Sequence, residues 1–335
     1  MRAVVLYEHG GMANFIYEEN YRDPECGTDD VIVAVKACSL NYHDLFTRNG
    51  MPGITLDLPR ICGLDAAGEI VEVGANVNDW KVGDSVLIDP RDRHGAGLFG
   101  ETVDGGLAEY ARVPNHQLVS IPDNVSFAEA ASLPVAYGTA HRMMVTRGEV
   151  TADDKVLILG ASGGVGTGAL LLAKIIGAEV VACGSSQVKL DALTEMGADH
   201  VIDYTEVDFV KEVWKIYEKP HRRKNAGGVT VAVNFTGGDT WVKSMKCLRR
   251  GGRLLTCGAT AGYDPATDLR YVWSYEFDVR GSNSWEPEDL TALLDMISMG
   301  ALKVPIHHTY SLTETQEALR VIEEREVIGK VIVTP

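Results

Sequence analysis

The chain has 335 residues, which is enough for two domains with separate hydrophobic cores. Its apolar and charged fractions, 45% and 23%, are ordinary for a globular protein. The formal net charge of −16 argues against a general affinity for nucleic acid or for an anionic membrane surface, because both are polyanions.

The sequence predicts a cytoplasmic protein that has no membrane partner. No apolar run approaches the roughly 20 residues that are needed to span a bilayer. The N-terminal run Ala3–Leu6 is typical of a strand and lacks the cleavage pattern of a signal peptide. The six cysteines are scattered, without a CxxC pair, which favours reduced thiols.

Short strand-like runs dominate the first 120 residues. Examples are Val31–Val35, Gly68–Val73 and Asp84–Ile88, which are separated by turns rich in Gly, Asp and Pro. This rhythm predicts an all-β, barrel-like unit.

From about Ser126 the pattern changes to apolar strands that alternate with helices, as a parallel sheet with crossover helices requires. Six strands in this order predict a doubly wound dinucleotide-binding domain. We expect a first domain over residues 1–124 and 285–335 and a second over residues 125–284. The predicted strands of the second domain are Lys155–Leu159, Glu179–Cys183, His200–Asp203, Val229–Asn234, Arg253–Cys257 and Asp278–Ser282.

A glycine-rich turn, Gly160–Gly166, lies between a predicted strand and a predicted helix. It follows the dinucleotide fingerprint G-x-G-x-x-G, except that Ala161 replaces the first glycine. Gly163 would let the backbone approach a pyrophosphate, and Gly166 would let the helix pack closely on the sheet. The amides at the helix start would then face the negative charge. In this context the motif predicts a dinucleotide site.

The end of the second predicted strand favours NADPH over NADH. An NAD site usually has Asp or Glu there to hold the ribose 2′-hydroxyl. This chain has Ser185, Ser186 and Lys189 instead, which would bind a 2′-phosphate that a carboxylate would repel. In the alternative interpretation, the serines cap the next helix and the lysine is solvated.

Several motifs together resemble the medium-chain dehydrogenase/reductase superfamily, and specifically its zinc-free, quinone oxidoreductase-like branch. The resemblance covers essentially the whole chain. It implies a GroES-like β-barrel catalytic domain, a doubly wound Rossmann domain of the α/β class, and a homodimer formed through the edge strand near Asp278–Ser282. The motifs are Gly63–Gly68, Lys81–Val86, Glu129–Pro134, Gly160–Gly166 and Ile328–Val333.

The same resemblance predicts that no metal is bound. The positions of the three catalytic zinc ligands of related alcohol dehydrogenases are taken by Asn41, Leu64 and Val135. Leucine and valine cannot coordinate zinc. A rival metal site could be assembled from residues outside the family's ligand positions, namely Cys38, His43, Cys62 and Asp65.

Without a Lewis acid, reduction of a conjugated carbonyl is better suited than oxidation of a simple alcohol, because the developing oxyanion needs only hydrogen-bond donors. The resemblance places Asn41 near the nicotinamide and the substrate. Tyr42 is a candidate proton source, with His43 and Asp44 as alternatives. Equally, Tyr42 could be a packed aromatic residue, Asp44 could hold the local turn, and His43 and Arg48 could be surface residues.

The leading hypothesis is an NADPH-dependent reductase of quinones or other α,β-unsaturated carbonyl compounds. The alternatives are an enoyl- or acryloyl-CoA reductase, a zinc alcohol dehydrogenase, and a non-enzymatic, crystallin-like NADPH-binding protein. The cofactor contacts that the motif and the resemblance imply are Asn41, Thr139, Ser162, Gly163, Gly164, Val165, Gly166, Ser185, Ser186, Lys189, Tyr204, Gly258 and Lys330.

Overall fold

A computed structural model describes residues 1–50, 56–95 and 97–335. The chain divides into two compact units. The first unit comprises Met1–Ala136 and Pro287–Pro335, and the second comprises Tyr137–Glu286. In the described part of the chain, no helix has both the length and the apolar character needed to cross a membrane.

The first unit is built on β-sheets. A seven-stranded sheet has the order β15-β16-β3-β5-β6-β8, with β7 also paired to β3, and a smaller sheet has the order β2-β1-β4. The strands are β1 (Ala3–Leu6), β2 (Phe15–Glu18), β3 (Asp30–Leu40), β4 (Arg60–Ile61), β5 (Asp65–Val73), β6 (Ser85–Ile88), β7 (Tyr110–Pro114), β8 (Leu118–Ser120), β15 (Ile306–Ser311) and β16 (Lys330–Thr334).

The long strand β3 organises this unit, because it pairs antiparallel with β5, β7 and β16. Its inward side chains, such as Val31 and Val33, are fully buried in the barrel core. The pairing brings Leu40, at the end of β3, opposite Val331 of the last strand. The helices of the unit are α1 (Tyr42–Asn49), α2 (Phe127–Ala131), α9 (Pro287–Ser298) and α10 (Thr315–Glu323).

The junction between the two units lies later in the chain than the sequence suggested, at residue 136 rather than 124. The physical reason is that α2 belongs to the first unit. A capping box begins this helix, since Ser126 accepts from the amide of Glu129 and the Glu129 carboxylate accepts from the amide of Ser126. Its alanines, Ala130 and Ala131, are buried. The return junction, at residue 287, lies two residues beyond the expected 285.

The second unit, every residue of which is described, contains a parallel sheet in the order β11-β10-β9-β12-β13-β14. This order confirms the predicted doubly wound fold. The strands are β9 (Lys155–Ile158), β10 (Glu179–Gly184), β11 (His200–Asp203), β12 (Val229–Val233), β13 (Leu248–Thr256) and β14 (Asp278–Gly281). The helices are α3 (Thr139–His141), α4 (Gly164–Ile176), α5 (Gln187–Glu195), α6 (Phe209–Tyr217), α7 (Thr240–Cys247) and α8 (Leu269–Tyr275).

Both faces of this sheet are covered by helices, which explains the continuous apolar sequence of its strands. Along β9, Val156 and Ile158 lie in one core cluster, whereas Leu157 and Leu159 lie in the other. The helix after β9 begins at Gly164, within the glycine-rich motif itself. Its glycine-rich first turn is therefore helical.

Candidate active site

Asn41 lies at the junction of β3 and α1, where its extended backbone makes it the N-cap of the helix. The Asp44 carboxylate holds this turn, because Oδ2 accepts from the amide of Asn41 at 2.7 Å and Oδ1 accepts from the amide of Gly63 at 3.2 Å. Asp44 is fully buried, and burial raises its pKa. Since both carboxylate oxygens bind backbone amides, the geometry gives Asp44 a positioning role; its role as a proton source stays a prediction.

Lys330, at the start of the last strand, reaches the side chain of Asn41. Its Nζ donates to Oδ1 of Asn41 at 2.5 Å and to the carbonyl of Leu40 at 3.0 Å. The side chain is only 2% exposed, so burial lowers the pKa of the ammonium, while the charge of Asp65 opposes that change. Lys330 is thus a buried member of the Asn41 site.

The Asp65 carboxylate lies at the centre of this cluster and contacts both Asn41 and Lys330. Its Oδ2 accepts from Nδ2 of Asn41 at 2.9 Å and lies 3.6 Å from Nζ of Lys330. Its Oδ1 accepts from the amide of Val135 at 3.1 Å. Burial raises the pKa of Asp65 to about 6, although Lys330 and Asn41 act in the opposite direction. A single carboxylate therefore joins β3, β5, β16 and the segment after α2.

The described residues do not fit a catalytic zinc ion. Of the positions that correspond to zinc ligands, Leu64 is a buried hydrocarbon, and Val135 contributes a backbone amide to Asp65. Both polar atoms of the Asn41 side chain are already hydrogen-bonded, since Oδ1 accepts from Lys330 and Nδ2 donates to Asp65. Within the described ranges, no group of three or more His, Cys, Asp or Glu side chains is placed to hold a metal ion.

The rival metal site is not assembled either. Cys38 and Cys62 are both fully buried, and burial raises the pKa of each thiol well above its usual value. Among the described residues, the four side chains of this rival site are not grouped so that three of them could hold one ion. Of the other two members, Asp65 is engaged as described, and Nε2 of His43 lies against the carboxylate of Glu101 in a short hydrogen bond.

Two further residues of the first helix, Tyr42 and Arg48, have definite surroundings. Tyr42 is half-buried and packs edge-on against Phe46, with ring centroids 5.2 Å apart. Arg48, considered from sequence as a surface residue, is instead buried and pairs with Glu323 at 2.5 Å. Sequence reasoning missed Glu101 altogether, because a single glutamate in a loop carries no motif.

The glycine-rich turn of the second unit has a backbone that favours glycine at two of its positions. Gly160 has a φ of +69°, which favours glycine. A Cβ on Gly166 would lie 2.2 Å from the carbonyl oxygen of Gly160, so only glycine fits there. A Cβ on Gly163 would meet nothing closer than 3.8 Å, so the space beside it is open. No side chain caps α4, and its first amides are therefore available to an anion.

The residues predicted to select the cofactor lie after β10. Ser186 is the N-cap of α5, but its side chain makes no capping hydrogen bond, contrary to the alternative that these serines only cap the helix. Lys189 donates to Oγ of Ser185 at 3.2 Å, one helical turn away. Tyr204 follows β11 and is exposed. Three polar side chains and an aromatic ring thus border the carboxyl ends of two adjacent strands.

Of the remaining predicted contacts, Thr139 is buried at the start of α3, whereas Ser162 and Val165 are half-buried in the turn. Gly258 is exposed just after β13. Sequence reasoning missed Asn234, a fully buried residue at the end of β12. Its Oδ1 accepts from the amide of Gly237 at 2.9 Å, so it fixes the loop that follows the strand.

Two family models match the chain. The alcohol dehydrogenase GroES-like domain matches residues 27–123, and the domain described as zinc-binding dehydrogenase matches residues 164–299. The first match lies within the first unit, and the second covers most of the second unit and extends into α9 of the first.

Similar proteins cover almost the full chain. The chain is 32% identical to an NADPH-dependent alkenal/one oxidoreductase of Arabidopsis thaliana, over 100% of this chain and 80% of that protein. It is 30% identical to an acryloyl-coenzyme A reductase of Sulfurisphaera tokodaii, over 95% and 96%. Among solved structures, an NAD-dependent alcohol dehydrogenase superposes with a TM-score of 0.91 at 31% identity, with 100% of both chains covered. The protein is an oxidoreductase and belongs to the medium-chain dehydrogenase/reductase superfamily.

Proposed function

We propose that this protein is a zinc-independent, NADPH-dependent reductase of α,β-unsaturated carbonyl compounds, including quinones. The observation that carries the proposal is the replacement of a metal site by the hydrogen-bonded cluster of Asn41, Asp65 and Lys330. Without a Lewis acid, the developing negative charge must be met by hydrogen-bond donors, which suffices for a delocalised enolate or hydroquinone oxygen.

The glycine turn and the residues after β10 support NADPH as the cofactor. The amides at the start of α4 would hold the pyrophosphate, and Ser185, Ser186 and Lys189 would hold the 2′-phosphate. When bound, NADPH supplies a hydride to the β-carbon of the conjugated system. Thr139, Ser162, Val165, Tyr204 and Gly258 are proposed as further contacts.

In the first unit, the chain's own residues would orient the substrate. Asn41 is proposed to border the nicotinamide and the substrate, held by Asp44 through its backbone and by Lys330 through its side chain. We assign the hydroxyl of Tyr42 as a hydrogen-bond donor to the substrate oxygen.

A second candidate, reduction of an enoyl thioester of coenzyme A, is favoured by the similarity to an acryloyl-coenzyme A reductase over nearly the whole of both chains. The two candidates share the same bond chemistry and differ in the size and charge of the substrate. Free coenzyme A should therefore inhibit the reaction only if the protein has a site for it.

The deciding experiment follows the oxidation of NADPH and NADH with simple enones, quinones and enoyl-CoA thioesters, with and without a strong chelator, alongside metal analysis of the purified protein. We expect turnover with NADPH that the chelator does not change. Better turnover with NADH would overturn the cofactor assignment. One tightly bound zinc per chain would favour an alcohol dehydrogenase, and tight NADPH binding without any turnover would favour a non-enzymatic, crystallin-like role.

We also propose a cytoplasmic homodimer. All six cysteines, each in the described part of the chain, are free thiols, as a reducing compartment favours. Within the second unit, β14 pairs with β13 alone, and Val279 on this edge strand is 45% exposed. The unpaired backbone groups of an edge strand such as β14 can form hydrogen bonds with a second copy of the chain. Light scattering on the purified chain and on Val279→Lys tests this: the wild type should have twice the monomer mass.

A further inference from the structure

His43 and Glu101 form a pair that the proposed function does not use. The Glu101 side chain is 7% exposed, and its one polar side-chain partner among the described residues is the Nε2 atom of His43. A carboxylate in such surroundings needs a positive partner, because an unpaired buried charge is strongly unfavourable. Glu101 therefore favours the imidazolium form of His43.

The charges around His43 act in the same direction. Burial by itself lowers the pKa of the imidazole, but the hydrogen bond to Glu101 and the negative charges of Glu101, Asp44 and Asp65 outweigh it and raise the pKa. His43 therefore keeps its proton to a higher pH than a free imidazole does.

The pair is poorly explained as a device that stabilises the helix. His43 occupies the first turn of α1, where the helix dipole disfavours a positive charge. An imidazolium there makes the helix less stable, and Glu101 must offset that effect. The arrangement is better explained by a need for the proton itself.

The other ring nitrogen of His43 is open. Whereas Nε2 is held by Glu101, Nδ1 has no hydrogen-bond partner among the described residues, and the side chain is 29% exposed. The ring lies two residues beyond Asn41 in the same turn. An imidazole oriented by a carboxylate through one nitrogen, with the second nitrogen free, is the arrangement of a general acid or base.

We propose that His43 is the proton donor that completes the reduction, and that Glu101 is its positioning residue. This inference rests on the proposed function. After the β-carbon has received the hydride, the N–H bond at Nδ1 of the imidazolium breaks and a C–H bond forms at the α-carbon of the enolate. Two electrons and one proton come from NADPH as hydride, one proton comes from His43, and the neutral imidazole then regains a proton from water.

The test compares the wild type with His43→Gln and Glu101→Gln, using an enone and a quinone as acceptors from pH 5 to pH 9. For the enone, kcat of the wild type should fall above the pKa of His43. His43→Gln should lower kcat by about 100-fold or more and abolish the decrease of kcat at high pH, with KM little changed. In Glu101→Gln this decrease should remain but occur at lower pH.

The quinone distinguishes proton donation from a structural role. A hydroquinone anion is a weaker base than an enolate, and it can be released from the site without being protonated at a carbon atom. The loss of activity in His43→Gln should therefore be much smaller with the quinone. Equal losses of activity with both acceptors would overturn the proposal and indicate that His43 has a structural role. Thermal unfolding of each variant shows whether it is folded.

His116→Gln is the matched control, because His116 also pairs with a carboxylate, Asp92, at 2.9 Å and is 31% exposed. It should leave the rate and the pH profile unchanged. Wild-type turnover combined with an unaltered pH profile in His43→Gln would overturn this inference alone. A wild type that reduces none of the acceptors would overturn the proposed function and this inference together.

Discussion

Lys330 and Asn41, 289 residues apart in the chain, are joined by a hydrogen bond of 2.5 Å from Nζ to Oδ1. The bond is possible because β16 pairs antiparallel with β3 and brings the last strand beside the segment before α1. The ammonium also lies 3.6 Å from Asp65, so the amide of Asn41 is fixed between a donor and an acceptor. Its orientation depends on both charges.

Removal of the lysine should leave Asp65 as an uncompensated buried charge. We expect Lys330→Met to lower the free energy of unfolding by about 3–5 kcal/mol. The double variant Lys330→Met/Asp65→Asn removes both charges and should recover part of this loss. Urea unfolding of the single and double variants measures the difference. A double variant no more stable than Lys330→Met would contradict the ion pair.

The charge of Asp65 should also leave a signature in the dependence of stability on pH. Its pKa is raised from 3.8 to about 6, so between these values the folded chain holds a proton that the unfolded chain has lost. Stability must then fall as pH rises through this window. At about 1.4 kcal/mol per pKa unit, the decline amounts to roughly 3 kcal/mol.

Asp65→Asn lacks this titration and is the natural reference. The free energy of unfolding of the wild type, relative to this variant, should decrease between pH 4 and pH 6.5 and be level above. Denaturant titrations at several pH values measure it. A difference that stays constant over the whole range would show that Asp65 does not titrate there.

Two glycines of the cofactor turn should respond differently to the same methyl group. In Gly166→Ala the new Cβ would overlap the carbonyl oxygen of Gly160, and we expect a loss of stability of about 1–3 kcal/mol. In Gly163→Ala the Cβ enters open space, so the melting temperature should hardly change. If the space belongs to the cofactor, the affinity for NADPH should nevertheless fall by about tenfold or more.

Fluorescence titration with NADPH and thermal unfolding separate these two effects. Unchanged NADPH affinity in Gly163→Ala would argue against a pyrophosphate at that position.

The preference for NADPH should depend on the side chains after β10. Ser185→Asp places a carboxylate where the 2′-phosphate is proposed, one helical turn from Lys189. We expect the ratio of kcat/KM for NADPH to that for NADH to fall by about 100-fold, since repulsion replaces a hydrogen bond. Lys215→Met, which removes an exposed lysine that pairs with Glu212, serves as the control. An unchanged ratio in Ser185→Asp would place the 2′-phosphate elsewhere.

Local patterns in the sequence predicted all six strands of the second unit. Strand β9 is buried on both faces, so its apolar run was unmistakable, and the glycine turn beside it is a contiguous motif. Strand β15, Ile306–Ser311, was missed because nearly all its residues are exposed and its sequence is polar. Helices α6, α7 and α8 of the second unit were also missed.

The candidate site of the first unit could be predicted only in part. Motifs identified Asn41 and Lys330 individually. Their contact depends on the pairing of β3 with β16, two strands that are far apart in the chain. The Asp65 contacts and the pairing of His43 with Glu101, 58 residues away, likewise follow from tertiary structure. Short-range patterns do not encode such contacts.

The buried cluster of Asn41, Asp65 and Lys330 also affects how readily such a protein could evolve a metal-dependent activity. A cysteine at Asn41 alone would remove two hydrogen bonds from the buried cluster, and a histidine at Leu64 alone would place an imidazole at a buried apolar position. Neither change would complete a ligand set. Each single step is therefore expected to lower fitness before any benefit appears. The exchange of one catalytic strategy for the other requires several substitutions at once, which separates the two kinds of enzyme by an evolutionary barrier.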